Sequence, residues 1–115
     1  MTSSRPLPAS EKPRQTALVT GAGRRVGRAI AVALGGRGMR VAVHYHGAEA
    51  GARDTVREIE RAGGEGFTVR ADLRNAGAPA QLVAEAVERL GSLDVLVNSA
   101  PVMIRTPFED VEEAN

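Results

Sequence analysis

The chain has no cysteine and no tryptophan, and aromatic residues make up 3% of its 115 positions. Without cysteine there is no disulfide frame, no thiolate nucleophile and no zinc–cysteine chemistry. Lys12 is the only lysine and Tyr45 the only tyrosine; every other basic residue is arginine. No apolar run approaches the roughly 20 residues of a membrane span. The N-terminus lacks the apolar core of a secretory signal. The net charge is +1, so charge alone points to neither a nucleic acid nor a membrane surface as partner. These absences leave a soluble, cytoplasmic protein as the expectation.

What is present is ordinary for a globular domain: 43% hydrophobic and 25% charged residues, in a chain long enough for one core. The most informative stretch is Ala17–Gly27, A-L-V-T-G-A-G-R-R-V-G. A short apolar run ends in a glycine-rich turn, and an apolar-periodic helix follows. This is the pattern of a strand feeding an anion-binding turn at a helix N-terminus. Gly21 and Gly23 allow positive φ and close backbone approach, and Arg24 and Arg25 stand in the turn. A G-x-G-x-x-G fingerprint would need glycine where Val26 stands.

Met1–Arg14, with Pro6, Pro8 and Pro13, reads as a disordered leader. Residues 15–115 read as one unit. Strands are expected at Gln15–Thr20, Arg40–Tyr45, Gly66–Ala71 and Leu93–Asn98. Helices are expected at Val26–Arg37, Ala48–Ala62 and Pro79–Leu90. Val26, Ile30, Ala33 and Leu34 form the apolar face of the first helix, and Gly38 caps it in the left-handed region. Ala52, Val56 and Ile59 form a thin stripe on the second. Leu82, Val83, Ala86, Val87 and Leu90 form a continuous face on the third, with a Glu85–Arg89 pair. The first and fourth strands are apolar on both faces, as central parallel strands are. Alternating strands and helices predict an α/β fold: a parallel Rossmann-type sheet of order 3-2-1-4 with helices on both faces. Pro107–Asn115, with Asp110 as N-cap, reads as the start of a further helix. The chain stops there, which predicts an N-terminal piece of a longer chain, truncated after the fourth strand.

Three motifs lie on this frame: T-G-A-G-R-R-V-G (Thr20–Gly27), A-D-L (Ala71–Leu73) and L-V-N-S-A (Leu96–Ala100). Together they resemble the short-chain dehydrogenase/reductase family, over Thr16 to Asn115, about the first half of such an enzyme. The resemblance implies that residues Gly21 to Gly27, Val26 included, cradle a pyrophosphate. The family's middle glycine is Arg25 here. The basic pair and the His44-Tyr45-His46 run resemble the pteridine reductase branch. Members that use NAD place an aspartate at the end of the second strand, and no acid follows His44 until Glu49. A carboxylate there would repel a 2′-phosphate, whereas arginine and imidazole attract it. NADPH is therefore the expected cofactor, with Arg24, Arg25 and His46 as the phosphate clamp. By the same resemblance Asp72 and Leu73 hold the adenine, and Asn98, Ser99 and Ala100 pass its ribose. Pro101 replaces the family's glycine.

The family's catalytic pair is a tyrosine with a lysine four residues on. Here Glu49 follows Tyr45 at that spacing and Lys12 lies in the leader, so this chain offers no catalytic residue. The expected function is the NADPH-binding half of a reductase that passes hydride to a carbonyl or pteridine small-molecule substrate. The alternatives are a 3-oxoacyl carrier-protein reductase, a sugar-alcohol dehydrogenase, or a nucleotide-binding module without catalysis. Family members are often tetramers through later helices, so a full-length form is expected to be a homo-oligomer.

Overall fold

The computed structural model describes residues 14–99. In chain order these form β1 (Thr16–Val19), α1 (Arg25–Gly36), β2 (Arg40–Tyr45), α2 (Glu49–Arg61), β3 (Glu65–Arg70), α3 (Ala78–Leu90) and β4 (Val95–Val97). All strand pairs are parallel, in the order β3-β2-β1-β4. The four strands and three helices expected within these residues are all present, with ends moved by at most two residues. The leader up to Pro13, Ala100 and the Pro107–Asn115 helix start lie outside the described residues.

Period-2 alternation sends neighbouring side chains into two separate cores. Ala17, Val19, Val41, Val43 and Tyr45 pack with Ala31 of α1 and with Ala52 and Ile59 of α2. Leu18, Ala42 and Val69 pack on the opposite face with Leu82, Ala86 and Leu90 of α3. Every residue of β1 is buried, as its unbroken apolar run required. Thr16 fixes the register of β1 against β4. Its N–H donates to Asp94 Oδ2 at 2.9 Å, and its hydroxyl accepts from the Asp94 N–H at 3.1 Å.

The buried face of α1 differs from the expected one. Its buried residues are Gly27, Ala31 and Gly35, whereas Ala33 is exposed and Val26 is 67% exposed. The periodicity of large apolar residues marked the flank of the contact instead of its centre. The centre is made of small residues because α1 lies against α2 at close range. A Cβ on Gly35 would stand 2.7 Å from Ile59 Cγ2. Val87 of α3 is exposed, so that helix's apolar face is narrower than its sequence implies. Leu96 is exposed too, because α3 lies over β1 and β2 and stops short of β4. The strand expected to be apolar on both sides is thus half covered on one face and open on the other.

Candidate functional site

The four parallel strands end on the same edge of the sheet, and a cleft of about 780 Å³ opens there. The turn from β1 into α1 makes one wall. Gly21 adopts φ 62, which only a residue without Cβ reaches at no steric cost. Arg25 adopts φ 57 and is the only non-glycine residue with positive φ among those described. That conformation costs an L-residue about 1–2 kcal/mol. Arg25 thus holds a backbone conformation that favours glycine while its side chain adds a charge. Gly23 departs from expectation: it is not among the positive-φ glycines. Its requirement is steric, since a Cβ there would lie 3.0 Å from the Ala48 carbonyl.

Helix α1 begins with no side-chain cap and no acid in its first turn. Its first N–H groups and the positive end of its dipole therefore face the cleft with no side-chain partner among the described residues. Gly27 lets this turn sit low. A Cβ there would be 2.2 Å from the Gly21 carbonyl oxygen and 2.6 Å from Ser99 Oγ. The segment after β4 is held just as closely. The Ser99 N–H donates to Thr20 Oγ1 at 2.8 Å and Ser99 Oγ donates to the Thr20 carbonyl at 2.9 Å.

The other wall comes from the ends of β2 and β3. Asp72 accepts from Arg74 Nε at 3.0 Å and Nη2 at 2.9 Å, and from the Arg74 N–H at 3.1 Å. These bonds hold its carboxyl well below the usual carboxylate range, the Arg74 side chain being the largest cause. His46 Nε2 lies 3.6 Å from Asp72 Oδ2. Sequence reasoning missed Arg74, although an arginine two residues after a turn aspartate is a local signal for such a fork. Gly47 and Ala48 add wall to the cleft without polar side chains.

Most of the expected site residues come together. Gly21, Gly23, Arg24, Arg25, Val26 and Gly27 line the turn side. His44, Tyr45, His46, Asp72, Leu73 and Ser99 line the rest. Asn98 is not among the lining residues; its Oδ1 accepts from the Thr20 hydroxyl at 3.1 Å. His44 is 2% exposed, with both ring nitrogens bonded to backbone. Tyr45 is buried in the core of the α1–α2 face. Among the described residues neither Arg24 nor Arg25 has a carboxylate partner. A shallower hollow along α2 is edged by Glu49, Arg53, Asp54 and Arg57, which pair with one another.

An open first turn, two arginines without a carboxylate partner among the described residues and a glycine-tight cradle fit an anionic, phosphate-bearing ligand. The model of the short chain dehydrogenase family matches residues 15–115. The chain belongs to that family. Among its short-chain dehydrogenase relatives is versicolorin reductase stcU of Emericella nidulans, 40% identical over 97 residues, which are 84% of this chain and 37% of the reductase. The chain thus spans little more than a third of the length of the fungal reductases it matches. The short-chain dehydrogenase/reductase homolog YusS of Bacillus subtilis is 37% identical over 98 residues, 85% of this chain and 90% of YusS. Among solved structures, the landomycin C-6 ketoreductase LanV, with bound NADP and rabelomycin, superposes with a TM-score of 0.69 at 42% identity, over 83% of this chain and 43% of LanV. Among the described residues no helix is long and apolar enough to cross a membrane.

Proposed function

We propose that this chain is the NADPH-binding half of a short-chain reductase acting on a carbonyl group of a small molecule. The observation that carries the reading is the charge distribution of the cleft. Among the described residues Arg24 and Arg25 have no carboxylate partner, and the one carboxylate that lines the cleft, Asp72, is held by Arg74. Among these residues a 2′-phosphate meets attraction and no free acid. Gly21 and the first turn of α1 take the pyrophosphate, and Asp72 and Leu73 take the adenine. When bound, the nicotinamide supplies the hydride. Tyr45 is not the acid that protonates the product oxygen, because it is buried and lacks a lysine four residues on.

The NADP bound by LanV supports the choice of cofactor. The reductase and ketoreductase names of the relatives support a ketone ahead of a pteridine. The pteridine reading rests on the arginine pair and His44-Tyr45-His46 alone. A second reading, a nucleotide-binding module without catalysis, is favoured by YusS, matched over 90% of its length. Calorimetric titration of the full chain with NADPH and NADH tests the cofactor reading. A preference for NADPH of about tenfold or more is expected from a charge-assisted phosphate contact; equal affinities overturn it. Turnover of an aromatic ketone but not of dihydropteridine, by the protein as isolated from its source, separates the substrates. Binding without turnover of either selects the module.

A further inference from the structure

His44 sits where three segments meet. The Gly21 N–H donates to its Nδ1 at 2.9 Å, and its Nε2 lies 2.9 Å from the Ala71 carbonyl oxygen. Gly21 begins the phosphate turn, and Ala71 precedes Asp72 on the opposite wall. The His44 carbonyl also accepts from the Ala22 N–H at 2.9 Å. One buried side chain thus spans the floor of the cleft and ties its two walls together.

These partners define the ring. Facing an N–H, Nδ1 must be the acceptor; facing a carbonyl, Nε2 must carry the proton. Only the neutral imidazole satisfies both. A proton on Nδ1 would set two N–H groups against each other and leave the Gly21 amide without its acceptor.

We propose that His44 is a positioning residue that shapes the phosphate turn only while its imidazole is neutral, so that acidification loosens the turn and weakens nucleotide binding. The inference rests on the cleft being a nucleotide site, yet it assigns His44 no contact with the ligand. The surroundings agree. Burial holds the His44 pKa below 6.5; the Ala71 hydrogen bond opposes that and the charge of His46 adds to it. The charged groups that line the site are Arg24 and Arg25 on the turn, His46 just after β2, and Asp72 and Arg74 after β3. On the same face of the sheet α3 packs Leu82, Ala86 and Leu90, with Val83 beside them, and its Glu85 and Arg89 pair with each other. The sign follows from the lowered value. The unfolded chain takes up this proton first, so the stabilisation is full above about pH 6.5 and is lost as pH falls toward the lower native value.

Two substitutions divide the ring's functions. In His44→Asn the amide oxygen stands near the place of Nδ1 and can accept from Gly21, but it does not titrate. In His44→Gln the amide reaches the place of Nε2 and can donate to Ala71, leaving Gly21 unmatched. The probe is ADP-ribose, which has no group titrating between pH 5 and 8, added to the full chain in calorimetry. Wild type is expected to lose about tenfold in affinity from pH 8 to pH 5, the equivalent of one hydrogen bond. His44→Asn should hold its affinity across that range, His44→Gln should be weak throughout, and His46→Asn should still show the fall, moved to higher pH because the His46 charge no longer lowers the His44 value. A fall that persists in His44→Asn, or that disappears in His46→Asn, overturns the proposal.

A second measurement needs no ligand. In nitrogen-15 NMR, coupling across the hydrogen bond from the Gly21 nitrogen to His44 Nδ1 is expected at pH 8 and should vanish as the ring titrates. A ring protonated at Nδ1 at pH 8, or a Gly21 amide indifferent to that titration, overturns the inference. If neither ADP-ribose nor NADPH binds at pH 8, the nucleotide reading fails, and this spectrum alone decides whether His44 holds the turn.

Discussion

The two walls of the cleft handle charge in opposite ways. On the β1–α1 wall the first helical N–H groups have no side-chain cap, and Arg24 and Arg25 have no acidic partner among the described residues. On the β3 wall Asp72 is already forked by Arg74, with His46 at 3.6 Å. One wall leaves its charge for a ligand to match, and the other has largely matched its own. The difference shows why counting charges near a pocket is a poor guide to affinity. An exposed pair that satisfies itself contributes little, whereas unpaired donors at a helix start are set for an anion.

The contrast can be broken most severely at Gly27. A Cβ there meets the Gly21 carbonyl at 2.2 Å, and backbone must move. Gly27→Ala is expected to cost about 3 kcal/mol through overpacking, read from the urea midpoint, and to remove nucleotide binding with it. A fully stable, binding-competent variant would show that the tight turn is dispensable.

A smaller change discharges the open wall alone. Arg24→Gln with Arg25→Gly should lower NADPH affinity by about 10- to 100-fold and leave NADH nearly unaffected. Glycine at position 25 also relieves the strain at φ 57, so stability to urea should rise by about 1 kcal/mol. Equal losses for both cofactors would place the 2′-phosphate elsewhere.

The smallest effect belongs to the paired wall. Arg74→Gln should shift affinity for both cofactors alike, by about threefold at most. Its clearer signature is in pH. Asp72 now titrates below its unfolded value of 3.8. Its stabilisation is therefore present above that value and is lost as pH falls toward the native one. Without the Arg74 side chain the two values approach each other and that acid window narrows, the backbone N–H of residue 74 still holding the carboxyl; a carbon-13 titration of the Asp72 carboxyl measures the change. An unchanged titration would show that Arg74 does not hold Asp72.

The sequence by itself determined the frame. Unbroken apolar runs, 3.6-residue periodicity and glycine breaks located four strands and three helices, because these signals arise between near neighbours in the chain. Parallel order followed from their alternation. The glycine turn and the missing acid after β2 were legible for the same reason. Only the tertiary structure decided what depends on distant partners. The stripe of Gly27, Ala31 and Gly35 was hidden because small residues carry little hydropathy, and only the approach of α2 gives them their value. Exposure of Val26, Val87 and Leu96 depends on which helix reaches which strand. His44 appeared in the sequence as a cofactor-site candidate within the His44-Tyr45-His46 run. Partners 23 residues before it and 27 after it instead place it beneath the cleft, because folding closes loops whose ends no local pattern connects.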